Sequence, residues 1–199
     1  MRRRAFLAAA TAGLIGTAGC EEAVVRRAVS DPERGIERRR EGAVRRYLDF
    51  RTDDETLVWI EMALLRGTAP FDFDVDLSHR DGTELTNLRL RFRTPTDESA
   101  EPVGVALEAP LAGDSPPTPS VSLYHSGEGA GTVVEVDEFG ALADETVGLE
   151  CLVTPRSETA TTLAVDVTAE VDGPLGGAYS LDGRLEFEFP PADGPERTD

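Results

Sequence analysis

Apolar and polar residues alternate with a period of two over most of the chain from Ala43 onward. This pattern is typical of a half-buried β-strand, because successive side chains of a strand point to opposite faces of the sheet. The alternating runs end at clusters of glycine, proline or aspartate, spaced by roughly ten residues. Helical periodicity is scarce, so the chain is predicted to be all-β.

The clearest alternation lies in two neighbouring segments, residues 71–77 and 88–93, with Asp81-Gly82 between them. A type I′ turn at Asp81-Gly82 predicts a hairpin, because both central residues of that turn need positive φ and this pair tolerates it. Counting back from the turn places apolar pairs on one face and aspartate–arginine pairs on the other. The predicted pairs are Val75 with Leu88, Phe73 with Leu90, Phe71 with Phe92, Asp74 with Arg89, Asp72 with Arg91 and His79 with Glu84.

A second hairpin is predicted between residues 163–171 and 179–189, paired across residues 172–177. Asp182-Gly183 also has turn composition, but a turn there would interrupt an unbroken alternation, so one continuous strand is favoured.

One apolar run, residues 57–65, fits either a helix or a strand. Thr52 and Glu55 match a helix capping box, and Gly67 matches a helix end. Val58, Trp59 and Ile60 stand side by side, which favours a strand buried on both faces. Together the runs predict ten short strands in a two-sheet antiparallel β-sandwich, immunoglobulin-like in architecture.

The first twenty residues follow a different pattern. Arginines at positions 2–4 precede an apolar run over residues 5–18, which is the charge order of a secretory signal peptide. As a helix this run would reach about 21 Å, short of the roughly 30 Å hydrocarbon core of a membrane. Arg3 and Arg4, followed by Phe6 and Leu7, match the twin-arginine export pattern.

Thr17-Ala18-Gly19-Cys20 resembles a lipobox, in which small residues admit the peptidase and the cysteine thiol accepts a lipid. Thr17 stands where leucine is commoner. The predicted organisation is therefore a signal peptide (1–19), a lipidated Cys20 with an arginine- and glutamate-rich tether (20–42), a β-sandwich domain (43–190) and a charged tail (191–199). The alternative is a cleaved signal with an incidental cysteine. Within the tether, Ser30-Asp31-Pro32-Glu33 has the composition of a cap for a short helix.

Charge sets the chain apart from most soluble domains. Among 199 residues there are 20 arginines, no lysine and 38 acidic residues, for a net charge of −18. From residue 52 onward 31 acids face 8 arginines, a net charge of −23. Such a surface repels nucleic acid, whose binding depends on Lys and Arg, and it repels itself in dilute solution. Molar salt relieves this repulsion because the Debye length falls to about 3 Å.

The twin-arginine pattern at Arg3 and Arg4, the lipobox at Cys20, the absence of lysine and the acidic composition together resemble the lipoproteins of salt-loving archaea. The resemblance is specific over the first twenty residues and compositional beyond them, where the chain is similar to small β-rich haloarchaeal lipoproteins. It implies a protein anchored in the cell membrane by a lipid on Cys20 and facing the outside. With Cys20 lipidated, Cys151 has no disulfide partner; its strand pattern predicts a small buried residue.

Catalytic residues are not predicted. Ser126 stands beside His125, but adjacent residues of a strand point to opposite sides, and neither Ser126 nor Ser180 lies in a nucleophile elbow. A hydrolase would need one of these serines to be activated.

Metal sites are not predicted either. Asp72, Asp74 and Asp76 carry ligands suited to calcium, but strand residues two apart lie about 6.6 Å apart and the predicted hairpin supplies arginines opposite them. The chain also contains the residue types of a blue-copper site, here called the blue-copper inventory. Their order along the sequence differs from that of blue-copper proteins, since no ligand follows Cys151 closely. That inventory is His79, His125, Cys151 and Met62.

The favoured hypothesis is a non-enzymatic binding or accessory module of the cell envelope, presenting its sandwich to an envelope protein or a glycan, with no cofactor. The alternative is a metal-binding protein, either a blue-copper-like electron carrier or a calcium-stabilised domain.

Overall fold

The computed structural model describes residues 26–38, 44–65, 69–95, 100–108, 120–126, 131–137, 139, 147–173 and 177–190. These ranges contain thirteen strands and no helix, and so no helix able to cross a membrane. In chain order the strands are β1 (Arg26–Val29), β2 (Glu33–Arg38), β3 (Val44–Thr52), β4 (Glu55–Leu64), β5 (Phe71–His79), β6 (Glu84–Pro95), β7 (Ala100–Pro102), β8 (Gly104–Leu107), β9 (Ser120–Ser126), β10 (Gly131–Asp137), β11 (Val147–Thr154), β12 (Thr162–Asp172) and β13 (Ala178–Glu188).

The strands form two sheets that pack face to face. Sheet 1 has the order β1-β13-β12-β6-β10-β9, with β7 beside β6, and sheet 2 has the order β2-β3-β4-β5-β11-β8. All neighbours are antiparallel except β1 and β13, which are parallel. The predicted all-β, two-sheet sandwich is confirmed. The predicted sites Arg3, Arg4 and Cys20 and the tail at 191–199 lie outside the described residues.

The apolar positions of both sheets meet in one core. The Phe73 ring of sheet 2 lies edge-on to Phe92 and Phe187 of sheet 1, with ring centroids 5.4 and 5.2 Å apart. Phe71 stacks on Phe189 at 5.4 Å. Cys151 is buried in the same core, as predicted, and its thiol is free.

The C-terminal hairpin has the predicted form. β12 and β13 pair from Thr162 opposite Glu188 to Asp172 opposite Ala178, without a turn at Asp182-Gly183. Gly183 points into the sandwich, where a Cβ would come within 2.9 Å of Leu48 and 3.0 Å of Phe50. The glycine therefore allows β3 to pack closely on β13. The ambiguous run before Gly67 is also a strand, β4, as favoured.

The predicted hairpin around Asp81-Gly82 is wrong. β5 pairs with β4 and β11 in sheet 2, whereas β6 pairs with β12 and β10 in sheet 1. Gly82 has a φ of 75°, but Asp81 keeps a negative φ, and the Thr83 amide donates to the Arg80 carbonyl at 3.0 Å. This is the geometry of a type II turn, which splays the flanking strands instead of pairing them. The chain therefore crosses from one sheet to the other.

The type I′ geometry occurs at a different turn, between β3 and β4. Asp53 and Asp54 have φ values of 52° and 66°, and Thr52 pairs with Glu55 across them. The residues that resembled a helix capping box are therefore the ends of a β-hairpin. Aspartate tolerates this left-handed backbone because its short side chain can hydrogen-bond locally.

The predicted tether is contradicted over residues 26–38. β1 pairs with β13 in sheet 1, and β2 pairs with β3 in sheet 2, so this segment belongs to the sandwich. The residues expected to cap a helix instead form the link between the two sheets, with Pro32 buried. Pro32 packs toward Gly183 in the core. The alternation in these two strands is short and rich in charge, because both are edge strands with one exposed side.

Candidate functional site

The outer face of sheet 1 carries an unusual concentration of arginine. Arg89, Arg91 and Arg93 occupy alternate positions of β6, while Leu88, Leu90 and Phe92 between them are buried in the core. Arg184 on β13 lies on the same outer face. These four residues, here called the arginine cluster, are half of the eight arginines found from residue 52 onward.

A single carboxylate on β12 organises the cluster. Asp166 Oδ2 accepts hydrogen bonds from Arg91 Nε (3.0 Å) and Nη2 (2.8 Å) and from Arg93 Nε (2.9 Å). Asp166 Oδ1 accepts a bond from Arg93 Nη2 at 3.1 Å. Arg184 Nε lies 3.8 Å from Asp166 Oδ1, too far for a hydrogen bond, and this buried nitrogen has no acceptor among the described residues. Asp166 therefore lies near three guanidinium groups, and Arg184 has a second carboxylate partner, because its Nη2 lies 2.5 Å from Glu186 Oε1.

The ionisation of Asp166 reflects these partners. Burial raises the pKa of Asp166, but the hydrogen bonds and charges of Arg93 and Arg91 outweigh burial and place it below the ordinary value. The hydrogen bond to Asp166 in turn raises the pKa of Arg93. Asp166 is therefore ionised at neutral pH, and it holds the two arginines in place.

Beside the cluster, the outer face of sheet 1 forms a concavity of about 390 Å³. Arg89 contributes a guanidinium that has no hydrogen bond or ion pair with the described residues. Hydroxyl and carboxylate groups complete the wall. The lining residues are Arg89, Arg91, Ser126, Asp166, Thr168, Asp182, Gly183 and Arg184.

The outer face of sheet 2 has the opposite character. Asp72, Asp74 and Asp76 lie on β5, and Glu150 of β11 stands directly opposite Asp74. This group is here called the acidic stripe. Desolvation raises the pKa of Asp74; nearby Asp76, Glu150 and Asp72 raise it further, and they outweigh the lowering by Arg45.

One arginine serves the edge of the acidic stripe. Arg45 Nη1 lies 2.6 Å from Glu61 Oε1 and 3.1 Å from Asp76 Oδ2. The predicted partners of these aspartates are wrong: Arg89 and Arg91 lie on the opposite side of the molecule, where β6 placed them. The reason is the crossing at Gly82, which separates β5 from β6.

The residues of the blue-copper inventory lie on four different strands: Met62 on β4, His79 on β5, His125 on β9 and Cys151 on β11. Within the described ranges, no three His, Cys, Asp or Glu side chains are arranged to hold a metal ion. His79 Nδ1 lies 3.0 Å from Thr83 Oγ1 and its residue pairs with Val58, not with Glu84 as predicted. Burial raises the pKa of the Cys151 thiol to about 12, which disfavours the thiolate that a metal requires.

The serines considered for hydrolysis lie on β9 and β13. His125 Nδ1 lies 3.3 Å from Thr132 Oγ1, whereas neighbouring Ser126 lines the concavity on the outer face. Ser180 pairs with Glu170 in the β13–β12 ladder. As predicted for adjacent strand residues, His125 and Ser126 point to opposite faces of the sheet.

The arginine cluster was missed at the sequence level because two of its members, Arg89 and Arg91, were assigned to Asp74 and Asp72 of β5. A usable signal was present: three arginines at alternate positions of a strongly amphipathic strand, in a region with few arginines. What the sequence did not reveal is that Asp166, 73 residues after Arg93, lies between them.

No curated protein matches this chain. Among solved structures, one similar chain comes from a structure described as manganese lipoxygenase of Gaeumannomyces graminis with partial zonadhesin of Komagataella pastoris. The two are 16% identical with a TM-score of 0.32, and the match covers 75% of this chain and 58% of the other.

The sequence profile of a protein family matches residues 29–191, which include all but the first strand of the sandwich. The chain therefore belongs to the family described as a domain of unknown function, DUF8121.

Proposed function

We propose that this chain is a lipid-anchored, extracytoplasmic binding module of the cell envelope, without enzymatic activity, and that the outer face of sheet 1 binds an acidic glycan. The observation that carries the proposal is the arginine cluster itself. From residue 52 onward, where eight arginines face 31 acids, three of the eight line one concavity. Arg91 and Arg93 share the carboxylate of Asp166, and Arg89 lines the same concavity, so like charges lie close together at a cost that an anionic ligand would offset.

The geometry supports a ligand that carries carboxylate or sulfate groups. Arg89 offers a guanidinium without a hydrogen bond or ion pair to the described residues, and a guanidinium binds an oxyanion through two parallel hydrogen bonds. Asp166 holds Arg91 and Arg93 in position, so less side-chain entropy is lost on binding.

Other groups in the wall favour a sugar over a simple anion. Ser126 and Thr168 supply hydroxyls, and Asp182 supplies an exposed carboxylate acceptor. Sugar hydroxyls both donate and accept hydrogen bonds, so a wall that mixes donors and acceptors matches them. A volume of about 390 Å³ lies within the range of small-ligand sites.

High salt does not abolish such recognition. Screening with a Debye length of about 3 Å removes long-range attraction, but charge-assisted hydrogen bonds act at 2.7–2.9 Å. Binding in high salt therefore depends on direct contact, with little long-range electrostatic steering of the ligand.

The test measures binding of polygalacturonate, a carboxylated polysaccharide, to the full chain in molar salt by calorimetry. Arg89→Gln should weaken binding roughly 10- to 100-fold, since it removes a charged hydrogen bond. Arg156→Gln is the matched control, because this exposed arginine of the β11–β12 connection undergoes the same change of charge away from β6.

Three outcomes would overturn the proposal: no binding, equal weakening by both variants, or binding of neutral dextran as tightly as polygalacturonate. Tighter binding of polyglutamate than of polygalacturonate would replace the glycan with an acidic protein partner.

The anchor is tested separately by mass spectrometry of the protein from membranes. The mature chain should begin at a lipid-modified Cys20. An N-terminus that retains Arg3 and Arg4 would contradict both the export signal and the lipid anchor.

A further inference from the structure

Strand β9 lies at an edge of sheet 1, with β10 on one side and no strand of the described residues on the other. Its sequence, Ser-Val-Ser-Leu-Tyr-His-Ser, contains no Asp, Glu or Arg, although 29% of the chain is charged. A free strand edge presents unpaired backbone N–H and C=O groups that can pair with another strand.

Two of the three large hydrophobic residues that are exposed in the described ranges belong to β9. Leu123 is 46% exposed and Tyr124 is 37% exposed. They point to opposite faces of the sheet, because Leu123 pairs with core residue Val134 while Tyr124 pairs with Val133. A strand added beside β9 would cover both side chains at once.

The other sheet edges carry the features that discourage pairing. β1 has only four residues, two of them arginine, and four of the six residues of β2 are charged. β8 is uncharged but has only four residues. In contrast, β9 offers seven uncharged residues in a row.

We propose that β9 pairs with β9 of a second copy of this chain, antiparallel, about a two-fold axis at Leu123. Charge argues for this occupant. A two-fold contact brings identical surfaces together, and a protein with a net charge of −18 can tolerate this only where the contact is uncharged. The register places Leu123 opposite its own copy, Ser122 opposite Tyr124, and Ser120 opposite Ser126.

The pairing has a functional consequence. Residues opposite each other in antiparallel strands point to the same side, so the outer faces of both copies of sheet 1 lie on one side of a continuous sheet. The two concavities with Ser126 in their walls would then face the same way, and a polymeric ligand could engage both with increased avidity. The pairing itself does not depend on the proposed glycan binding.

A symmetric disulfide tests the register in native membranes. Leu123→Cys places two thiols on residues whose Cα atoms would lie about 4.5–5.5 Å apart, within the range that a disulfide bridges. The expected result is a covalent dimer under mild oxidation. Ser120→Cys is the control, because two copies of this exposed residue would lie about 20 Å apart along the strands. The unsubstituted chain, with Cys20 and Cys151, gives the background.

Light scattering on the detergent-solubilised full chain gives an independent measure. The unsubstituted protein should be a dimer, and Leu123→Glu should weaken dimerisation at least about tenfold by placing two like charges face to face. Ile36→Glu is the matched control, since Ile36 is 50% exposed on an edge strand of sheet 2. It should leave the dimer intact.

A monomer at all concentrations, or equal cross-linking at positions 120 and 123, would overturn the proposal. Cross-linking of position 123 to a different protein would also overturn it, by assigning this edge to another partner. Loss of polygalacturonate binding with the dimer intact would count only against the proposed function.

Discussion

The two outer faces of this sandwich have the same alternating strand pattern but carry charges of opposite sign. On sheet 1, Asp166 lies among arginines and its pKa is lowered. On sheet 2, Asp74 stands opposite Glu150 and its pKa is raised. Burial raises the pKa of both aspartates, and the hydrogen bonds that only Asp166 accepts from Arg93 and Arg91 decide the difference.

The contrast between the two faces indicates which charged surface is suited to bind an anionic ligand. The acidic stripe is a set of like charges that oppose folding, with Arg45 as a partial remedy. In the arginine cluster, Asp166 bridges Arg91 and Arg93, Arg184 also pairs with Glu186, and Arg89 has no ion pair with the described residues. We expect an anionic ligand to reduce the repulsion within the arginine cluster, whereas the same ligand would increase the repulsion at the acidic stripe.

The largest effect should come from removing salt. Dialysis into dilute buffer is expected to unfold the domain, because the charge of −18 is then unscreened. As salt falls, hydrogen exchange should rise first in β5 and β11, which carry the acidic stripe, and later in β6 and β12. Near-ultraviolet dichroism that persists in dilute buffer would contradict this expectation.

Removing the shared counter-ion should have the next largest effect. Asp166→Asn leaves Arg91 and Arg93 packed together without their carboxylate, so the free energy of unfolding should fall by about 2–3 kcal/mol. Denaturant unfolding in molar salt measures this change in the free energy of unfolding. Asp182→Asn, an exposed neighbour in the same concavity, should change stability little.

The same variant should alter the acid side of the stability profile. The pKa of Asp166 is lowered by folding, so its contribution is complete above the unfolded value of about 3.9 and is lost as pH falls through the folded value. Asp166→Asn should flatten the loss of stability in that window. If stability falls as steeply with acidification in the variant as in the unsubstituted protein, other carboxylates dominate the acid dependence of stability.

A packing change on sheet 2 should rank third. Tyr47 stacks on Trp59 with ring centroids 4.1 Å apart, and its ring covers Gly35 so closely that a Cβ there would overlap it. Gly35→Ala should displace Tyr47, lower stability by about 1–2 kcal/mol and shift tryptophan fluorescence.

The control for this packing effect is Gly148→Ala on the same sheet. Its Cβ would lie 3.8 Å from Asp76 Oδ1, an ordinary contact, so stability should hold or rise slightly. Equal losses in the two variants would mean that the glycine backbone, and not the aromatic contact, matters.

The smallest effect should have the opposite sign. Folding raises the pKa of Asp74, so the folded state favours the protonated carboxyl. This contribution to stability is lost as pH rises through the pKa of Asp74 in the folded state. Ionised Asp74 therefore opposes folding at neutral pH. Asp74→Asn should therefore stabilise the protein at neutral pH by about 0.2–1 kcal/mol, with the gain shrinking in high salt. Thermal unfolding at two salt concentrations checks this, and a loss of stability would reverse the contrast between the faces.

Local patterns predicted much of the fold. The alternation of β5, β6, β11, β12 and β13 is confirmed residue by residue, as is the β12–β13 hairpin, because burial of one face requires that period. The errors fell on β1 and β2, whose edge positions leave little apolar pattern, and on the turn at Gly82. The glycan, the anchor at Cys20 and the absence of catalysis remain predictions.

For the inner strands, the sequence by itself determined which residues form strands and which side of each strand is buried, since side-chain period and hydrophobicity are local properties. Only the tertiary structure decided which strands are neighbours. The turn at Gly82 has one positive φ, where a type I′ hairpin turn needs two, and β6 lies in the other sheet. That crossing separates Arg91 from Asp72 and places it against Asp166. A carboxylate distant in sequence thus organises the arginine cluster, since pairing between sheets depends on global packing and not on local pattern.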